Sequence, residues 1–211
     1  MSWIENGIGS SEFVCSKEKK NIFLIGDSIR RGYCNSAKNA LSDLADVFFV
    51  NDNCRSSQYI IFSLRSWSQK FDDPSLVDLI YFNCGHWDAA RWNGCPLPLT
   101  SVEEYGRNID IIIWQLRHFF PNAKLIFATT SPANPNGRQD TNPRTNAEID
   151  RYNEIAAAVC QKHEITVHDM NADMKKLDSS CFEDSVHLTR EAFEDLGKYV
   201  AAYLKERIKE I

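Results

Sequence analysis

Five short apolar runs along the chain predict the strands of a parallel sheet. None of them alternates between polar and apolar positions. Near-continuous apolar runs are typical of strands that are buried on both faces, as in a parallel sheet covered by helices. The five runs lie at residues 21–26, 46–51, 77–83, 123–130 and 164–169.

Amphipathic segments between these runs predict helices, because their apolar residues recur at spacings of three and four. The segments are residues 36–45, 56–70, 102–118, 145–163 and 189–209. Alternating strands and helices imply right-handed crossovers and helices on both faces of the sheet. We therefore predict an α/β protein: a flavodoxin-like three-layer α/β/α sandwich with five parallel strands in the order 2-1-3-4-5.

The remaining segments predict no second domain. Residues 131–144 are rich in Pro, Asn and Gly and predict an irregular loop after the fourth strand. Residues 1–19 precede the first strand, and we expect a short appendage packed on the domain. Residues 1–211 are therefore treated as a single domain.

Charge and hydropathy argue against two kinds of partner. The formal net charge of -5 disfavours nucleic-acid binding, which depends on clustered Lys and Arg. No run approaches the roughly 18 apolar residues of a membrane span, and residues 1–13 lack the pattern of a secretory leader. We expect a cytoplasmic protein with no nucleic-acid or membrane partner, and the oligomeric state stays open.

The cysteine and histidine spacings favour neither a disulfide framework nor a metal site. The seven cysteines are odd in number, scattered and free of any C-x-x-C pair. The spacing of His86, Asp88, His168 and Asp169 matches no metal motif. We predict no metal ion and no cofactor.

Polar clusters follow four elements of the predicted sheet. Ser28 follows the first strand, "NDNCRSS" (51–57) the second, "NCGHWD" (83–88) the third and "DSVHLT" (184–189) the fifth. The carboxyl ends of parallel strands meet at one edge, where such sheets bind their ligands. We expect these clusters to lie close together at that edge.

A candidate nucleophile and its base stand out among these polar residues. The turn Gly26-Asp27-Ser28 presents a hydroxyl at the sheet edge, and a serine reacts only when a base takes its proton. His187 has Asp184 three residues before it, close enough for the carboxylate to orient the imidazole. This spacing also arises by chance, and a surface ion pair is the alternative.

Three motifs together resemble a known family. "GDS" after the first strand, a Gly-containing polar turn after the third and D-x-x-H before the last helix are similar to the SGNH, or GDSL-type, hydrolases, which are serine esterases on a flavodoxin-like sandwich. The resemblance spans residues 21 to about 205. It implies that Ser28 is the nucleophile, His187 the general base and Asp184 the residue that orients His187.

The resemblance also implies an oxyanion site, formed in part by the backbone amides of Ser28 and Ser56. The family's third block reads G-x-N-D, whereas this chain has Gly85-His86-Trp87-Asp88, so a tryptophan stands where an asparagine donor is expected. Asn83 is the first substitute candidate and His86 the second, and Gly85 of the same turn is also expected in the oxyanion site. Losing one oxyanion donor typically costs ~10²–10³ in rate.

Polar and aromatic residues are expected to contact the substrate. They are Arg30, Arg31, Arg55, Trp87 and Trp92. Ion pairs are equally expected for the arginines of the first helical turn, and core capping for the tryptophans. Such a rim favours an esterase acting on short, acetyl-type esters, with a small-molecule or carbohydrate ester as substrate. The alternatives are a thioesterase or lysophospholipase of the same fold, or an inert carbohydrate- or peptide-binding sandwich.

Overall fold

The predicted sheet is confirmed. The structure is a computed structural model that describes residues 12–134, 136–137 and 142–211. Five parallel strands form one sheet in the order β2-β1-β3-β4-β5. The strands are β1 (Lys20–Ile25), β2 (Ala45–Phe48), β3 (Leu79–Phe82), β4 (Lys124–Ala128) and β5 (Thr166–His168).

Helices cover both faces of this sheet. Within the described ranges the α-helices are α1 (Ser28–Leu41), α2 (Ser57–Ser68), α3 (His86–Ala89), α4 (Val102–Phe119), α5 (Asn146–Lys162), α6 (Met170–Met174) and α7 (Arg190–Ile208). Short 3-10 helices occur at Pro74–Leu76 and Ser179–Cys181. In this part of the chain no helix combines the length and hydropathy that a membrane crossing requires.

The strands are apolar throughout because each face of the sheet borders its own core. In β1, Ile22 and Leu24 point to the core shared with α1 and α7. Phe23 and Ile25 point to the core shared with α2, α4 and α5. All four side chains are fully buried, which explains the absence of polar alternation.

The helix predicted over residues 36–45 is wrong at both ends, because α1 spans Ser28–Leu41. The Asp27 carboxylate accepts a hydrogen bond from the Ile29 amide (3.0 Å) and starts the helix directly after β1. Gly32 then lies against the ring of Phe193 on α7, where an added Cβ would be 2.3 Å from a ring carbon. The Asp27 cap and this packing stabilise the first turns of α1, although the apolar residues there follow a helical spacing only weakly.

The segment before β1 runs beside the end of α2 where it is described. Phe13 forms a parallel bridge with Phe71, and its ring contacts those of Phe23 and Phe48. The rest of the expected appendage, residues 1–11, lies outside the described residues. So do residues 135 and 138–141 of the expected loop, whose described positions contain neither helix nor strand.

Candidate active site

The carboxyl edge of the sheet brings Ser28, His187 and Asp184 into one hydrogen-bonded chain. Ser28 is the first residue of α1, and its Oγ lies 2.8 Å from His187 Nε2. His187 Nδ1 lies 2.7 Å from Asp184 Oδ2. The carboxylate therefore holds the proton on Nδ1 and leaves Nε2 to accept the proton of the Ser28 hydroxyl.

A tight turn holds the carboxylate of Asp184. Its Oδ1 accepts hydrogen bonds from the amides of His187 (2.7 Å) and Val186 (2.8 Å). Burial acts to raise the pKa of Asp184, but these amides and the imidazole outweigh it and lower the pKa below its usual value. The backbone amide of Asn134, in the loop after β4, also donates to the carbonyl of Ser185 in this turn (2.9 Å).

Asn83 lies beneath the nucleophile turn. Its side chain is buried, and a Cβ added at Gly26 would lie 2.1 Å from Asn83 Oδ1. Burial raises the pKa of the enclosed Asp27, while the Ile29 amide and the side chain of Asn83 oppose the rise. These contacts make Asn83 a support of the turn. The role of its side chain as the third oxyanion donor stays a prediction.

His86 is directed away from an oxyanion. Its Nδ1 accepts a hydrogen bond from Arg144 Nε (3.1 Å), so its Nε2 carries the proton and donates to Ser131 Oγ (2.9 Å). Burial and the charge of Arg144 lower its pKa well below the usual value, so the ring stays neutral. The expected role of the His86 side chain as an oxyanion donor is corrected to a structural one.

The oxyanion site predicted at Ser28, Ser56 and Gly85 stays a prediction. Neither the Ser28 nor the Ser56 amide has a hydrogen-bond partner in the described part of the chain. The loops that carry them are joined, because the Cys54 amide donates to the Gly26 carbonyl (3.1 Å). Gly85 precedes α3 with a positive φ of 144°, where an added Cβ would lie 2.2 Å from Thr130 Oγ1.

Asp88 supports the same site from below, a role that the sequence analysis missed. Its buried carboxyl accepts hydrogen bonds from the Ser57 amide (3.0 Å), the Ser57 hydroxyl and Thr100 Oγ1 (2.9 Å). Burial raises its pKa to about 6, against the effect of these donors. Asp88 thus anchors the first residue of α2, directly after Ser56. Its place in the third motif was the available clue.

Arg30 does not reach a substrate, and this expectation is corrected. It is 1% exposed, and its guanidinium donates to the carbonyls of Gly26 (3.2 Å), Val50 (3.1 Å) and Asp52. It lies on the inward face of α1, where the helix meets the loop after β2. Its observed role is structural.

The other expected substrate contacts lie on the surface. Arg31 is exposed on α1, and Arg55 is exposed with its guanidinium 4.5 Å from the ring centroid of Tyr59. Trp87 and Trp92 are half-buried, with ring centroids 4.3 Å apart, and Trp92 Nε1 donates to the Trp87 carbonyl (3.0 Å). Their contact with a substrate stays a prediction.

Arg144 and Ser131 escaped the sequence analysis because nothing near them in the chain marks a site. Both lie in or beside the irregular loop after β4, and only the fold places them against His86. The described residues contain no group of three or more His, Cys, Asp or Glu side chains able to hold a metal ion.

A serine, an imidazole and a carboxylate joined at the edge of a parallel α/β/α sandwich define a serine hydrolase. The chain belongs to the GDSL-like lipase/acylhydrolase family, whose model matches residues 24–194. Members of this family, also called SGNH hydrolases, are carboxylic ester hydrolases. The protein is therefore an esterase or acylhydrolase of the GDSL type.

Solved structures share the fold at low identity. A lipase/acylhydrolase from Enterococcus faecalis is 18% identical, with a TM-score of 0.68 over 89% of this chain and 96% of that one. A carbohydrate acetylesterase from Sinorhizobium meliloti is 12% identical, with a TM-score of 0.65 over 89% and 99%. An acetyl xylan esterase is 15% identical, with a TM-score of 0.63 over 89% and 98%. A comparison with curated protein sequences found no match.

Proposed function

We propose that the protein removes short acyl groups, acetyl above all, from carbohydrate esters, with Ser28, His187 and Asp184 as its catalytic triad. The hydrogen-bonded chain from Asp184 through His187 to the Ser28 hydroxyl carries this proposal. It supplies the activated nucleophile that ester hydrolysis needs.

The reaction proceeds in two steps. Ser28 Oγ attacks the ester carbonyl carbon while His187 Nε2 takes its proton, and the amides of Ser28 and Ser56 donate to the oxyanion. The bond from carbon to the alcohol oxygen breaks, and the alcohol takes the proton from His187. Water then attacks the acyl-enzyme and gives a proton to His187. The acid leaves, and Ser28 regains its proton from the imidazole.

The placement of the cavities supports a short acyl group. A cavity of about 780 Å³ lies between α1 and α7, and another of about 420 Å³ lies between α6 and α7. Neither is lined by Ser28 or His187. A long acyl chain gains affinity by burying methylenes, at ~0.8 kcal/mol each, and the nucleophile and its base line neither cavity, although Leu188 next to His187 lines the larger one.

Two observations support a carbohydrate as the alcohol. The adjacent rings of Trp87 and Trp92, tilted by 35° to each other, offer an aromatic face on the segment that also carries His86. Two of the structurally similar proteins named above are a carbohydrate acetylesterase and an acetyl xylan esterase. A lipid-directed esterase is the alternative, and Leu97 and Leu99, which are exposed after Trp92, favour it.

The decisive measurement is kcat/KM for aryl acetate, butyrate, octanoate and palmitate, with an acetylated oligosaccharide alongside and Ser28→Ala as the control. We expect the highest value for acetate, a fall with chain length and deacetylation of the sugar. A steady rise towards octanoate with the sugar inert would establish a lipid-directed esterase. Faster turnover of acyl thioesters than of matched oxygen esters would indicate a thioesterase.

Covalent labelling separates an enzyme from an inert binding module of the same fold. A fluorophosphonate reacts with a serine only when its hydroxyl is activated. We expect labelling at Ser28 and none in the Ser28→Ala variant. An unlabelled wild-type protein that still binds oligosaccharide would support the binding module.

We also propose a cytoplasmic location. All seven cysteines are unpaired, and five of them are buried. Free thiols persist in reducing compartments. Fractionation of the source cells should recover the protein with soluble cytoplasmic markers, and recovery with secreted proteins would contradict the proposal.

A further inference from the structure

Arg30 joins the two loops that carry the candidate oxyanion amides. Its Nη2 donates to the Gly26 carbonyl, in the turn before Ser28, and also to the Asp52 carbonyl, in the loop that leads to Ser56. Its Nη1 donates to the Val50 carbonyl of the same loop. A single buried side chain therefore connects the backbone before both amides.

Cys54 adds further contacts between the same two loops. Arg30 Nη2 also lies 3.5 Å from Cys54 Sγ, and the Cys54 amide donates to the same Gly26 carbonyl at 3.1 Å. The Gly26 carbonyl thus accepts from both the guanidinium and the neighbouring loop. The position of one loop depends on the other through these shared contacts.

We propose that Arg30 is a positioning residue that holds the Ser28 and Ser56 amides in one oxyanion site. The inference rests on the proposed function and adds a residue to its machinery. It follows from the loss of the usual side-chain donor, because Trp87 replaces the family asparagine, both ring nitrogens of His86 are hydrogen-bonded, and the buried Asn83 packs against the Gly26 backbone. The oxyanion site then depends more on backbone amides, and the separation of those of Ser28 and Ser56 is set by the loops that Arg30 joins.

Only an arginine fits this role. Its planar guanidinium donates in several fixed directions, and here it reaches three carbonyls on two loops. A lysine supplies the same charge at a single nitrogen, so it cannot reproduce the contacts of Nη1 and Nη2 together. A change of about 1 Å in the position of an oxyanion donor is enough to lose much of its effect.

A purely stabilising role is the competing explanation, since the loss of buried hydrogen bonds lowers stability at any site. The two roles differ in kinetics. A stabilising residue changes the melting temperature and leaves kcat of the folded protein intact. A positioning residue lowers kcat with little effect on KM, because the misplaced amides act only in the transition state.

The test compares Arg30→Lys and Arg30→Gln with two controls, all assayed at a temperature where each protein is folded. Arg65→Lys makes the same exchange at an exposed position of α2, and Ile109→Val weakens the core beneath α4. We expect the Arg30 variants to lose ~10²-fold in kcat on aryl acetate, with KM changed by less than about threefold. The controls should keep wild-type kcat, even where Ile109→Val melts earlier.

Phosphonylation of Ser28 by a fluorophosphonate is measured in the same proteins, because this reaction also places an oxygen in the oxyanion site. Slower labelling of the Arg30 variants supports the proposal even if wild type hydrolyses none of the esters, in which case only the proposed substrate class fails. Wild-type kcat or labelling rates in a folded Arg30 variant overturn it. So does failure of both variants to fold, which would assign Arg30 to the fold alone.

Discussion

At the scale of single residues, the position of each proton decides what a polar group of the site can do. Hydrogen bonds keep Asp184 ionised, and His187 accordingly holds its proton on Nδ1. His86 has the opposite arrangement, because Arg144 donates to its Nδ1 and leaves the proton on Nε2. Of these two imidazoles, only that of His187 can accept the proton of Ser28.

The triad predicts a graded loss of esterase activity. Ser28→Ala and His187→Ala should each abolish most of it, because one removes the nucleophile and the other its base. Asp184→Asn should be comparable or milder, since it disturbs only the tautomer of His187. Steady-state kinetics on aryl acetate measure all three, and circular dichroism checks the fold. Equal activity in wild type and Ser28→Ala would exclude the serine mechanism.

Asn83→Ala distinguishes a residue that supports the nucleophile turn from an oxyanion donor. Its side chain supports the turn at Gly26 and Asp27, so the variant should melt earlier but keep kcat within about tenfold of wild type at a temperature where it is folded. A true oxyanion donor would cost ~10²–10³ in kcat. A loss of that size in a folded variant would place Asn83 in the oxyanion site.

At the scale of elements, the connections at the carboxyl edge of the sheet are tied to one another rather than free. The β1–α1 turn and the β2–α2 loop meet through the Cys54 amide and Arg30. The segment after α3 is paired with the loop after β4, because the Arg91 amide donates to the Pro143 carbonyl (3.1 Å). The edge therefore presents a preformed surface around Ser28.

Trp92→Ala tests the aromatic wall of this surface. If Trp92 stacks on a sugar ring, the variant should raise KM for an acetylated oligosaccharide by about five- to tenfold and leave aryl acetate nearly unchanged, since one stacking contact contributes ~1 kcal/mol. Trp114→Ala is the matched control, an exposed tryptophan that stacks on His118 of α4. Equal KM values in wild type and Trp92→Ala would remove this residue from the substrate site.

At the scale of the whole molecule, two apolar cores enclose the sheet, and a buried carboxyl belongs to the packing beneath the site. Asp88 is fully buried between the start of α2 and Thr100, and Asn108 of α4 donates to the Ser57 hydroxyl (2.9 Å). Asp88 of α3 is bonded directly to α2 and to Thr100, and α4 is joined to this group through the bond from Asn108 to Ser57. Ionisation of this one group therefore affects the stability of the domain.

The pKa of Asp88 predicts a pH dependence of unfolding. Burial raises this pKa from 3.8 to about 6, so between these values the folded state holds a proton that the unfolded state has lost. The contribution of Asp88 to the free energy of unfolding must then fall as pH rises through this window, by about 3 kcal/mol in total. Urea unfolding of wild type and Asp88→Asn from pH 4 to pH 7 measures it.

The control for this experiment is Asp43→Asn, which removes a carboxylate from an exposed position. The difference in unfolding free energy between wild type and Asp43→Asn should stay nearly constant over the same range. If the difference between wild type and Asp88→Asn is equally constant, Asp88 does not titrate in this window and its raised pKa is wrong.

The apolar pattern was sufficient to predict the five parallel strands and most helices, because burial on both faces leaves a continuous apolar run in each strand. The start of α1 was predicted eight residues late, at residue 36 instead of Ser28. Its first turns owe their helical form to the Asp27 cap and to packing of Gly32 on Phe193. Neither contact leaves a periodic trace in the sequence.

The sequence by itself determined the chemistry of the triad, because "GDS" and D-x-x-H name the reacting groups and short-range spacing places Asp184 beside His187. Only the tertiary structure decided which other polar residues face the substrate. Arg30 turns inward, Asn83 supports a turn, His86 is held by Arg144, and Asp88 anchors α2. The physical reason is that a hydrogen bond between residues far apart in the chain depends on where the fold brings them, which local spacing does not encode.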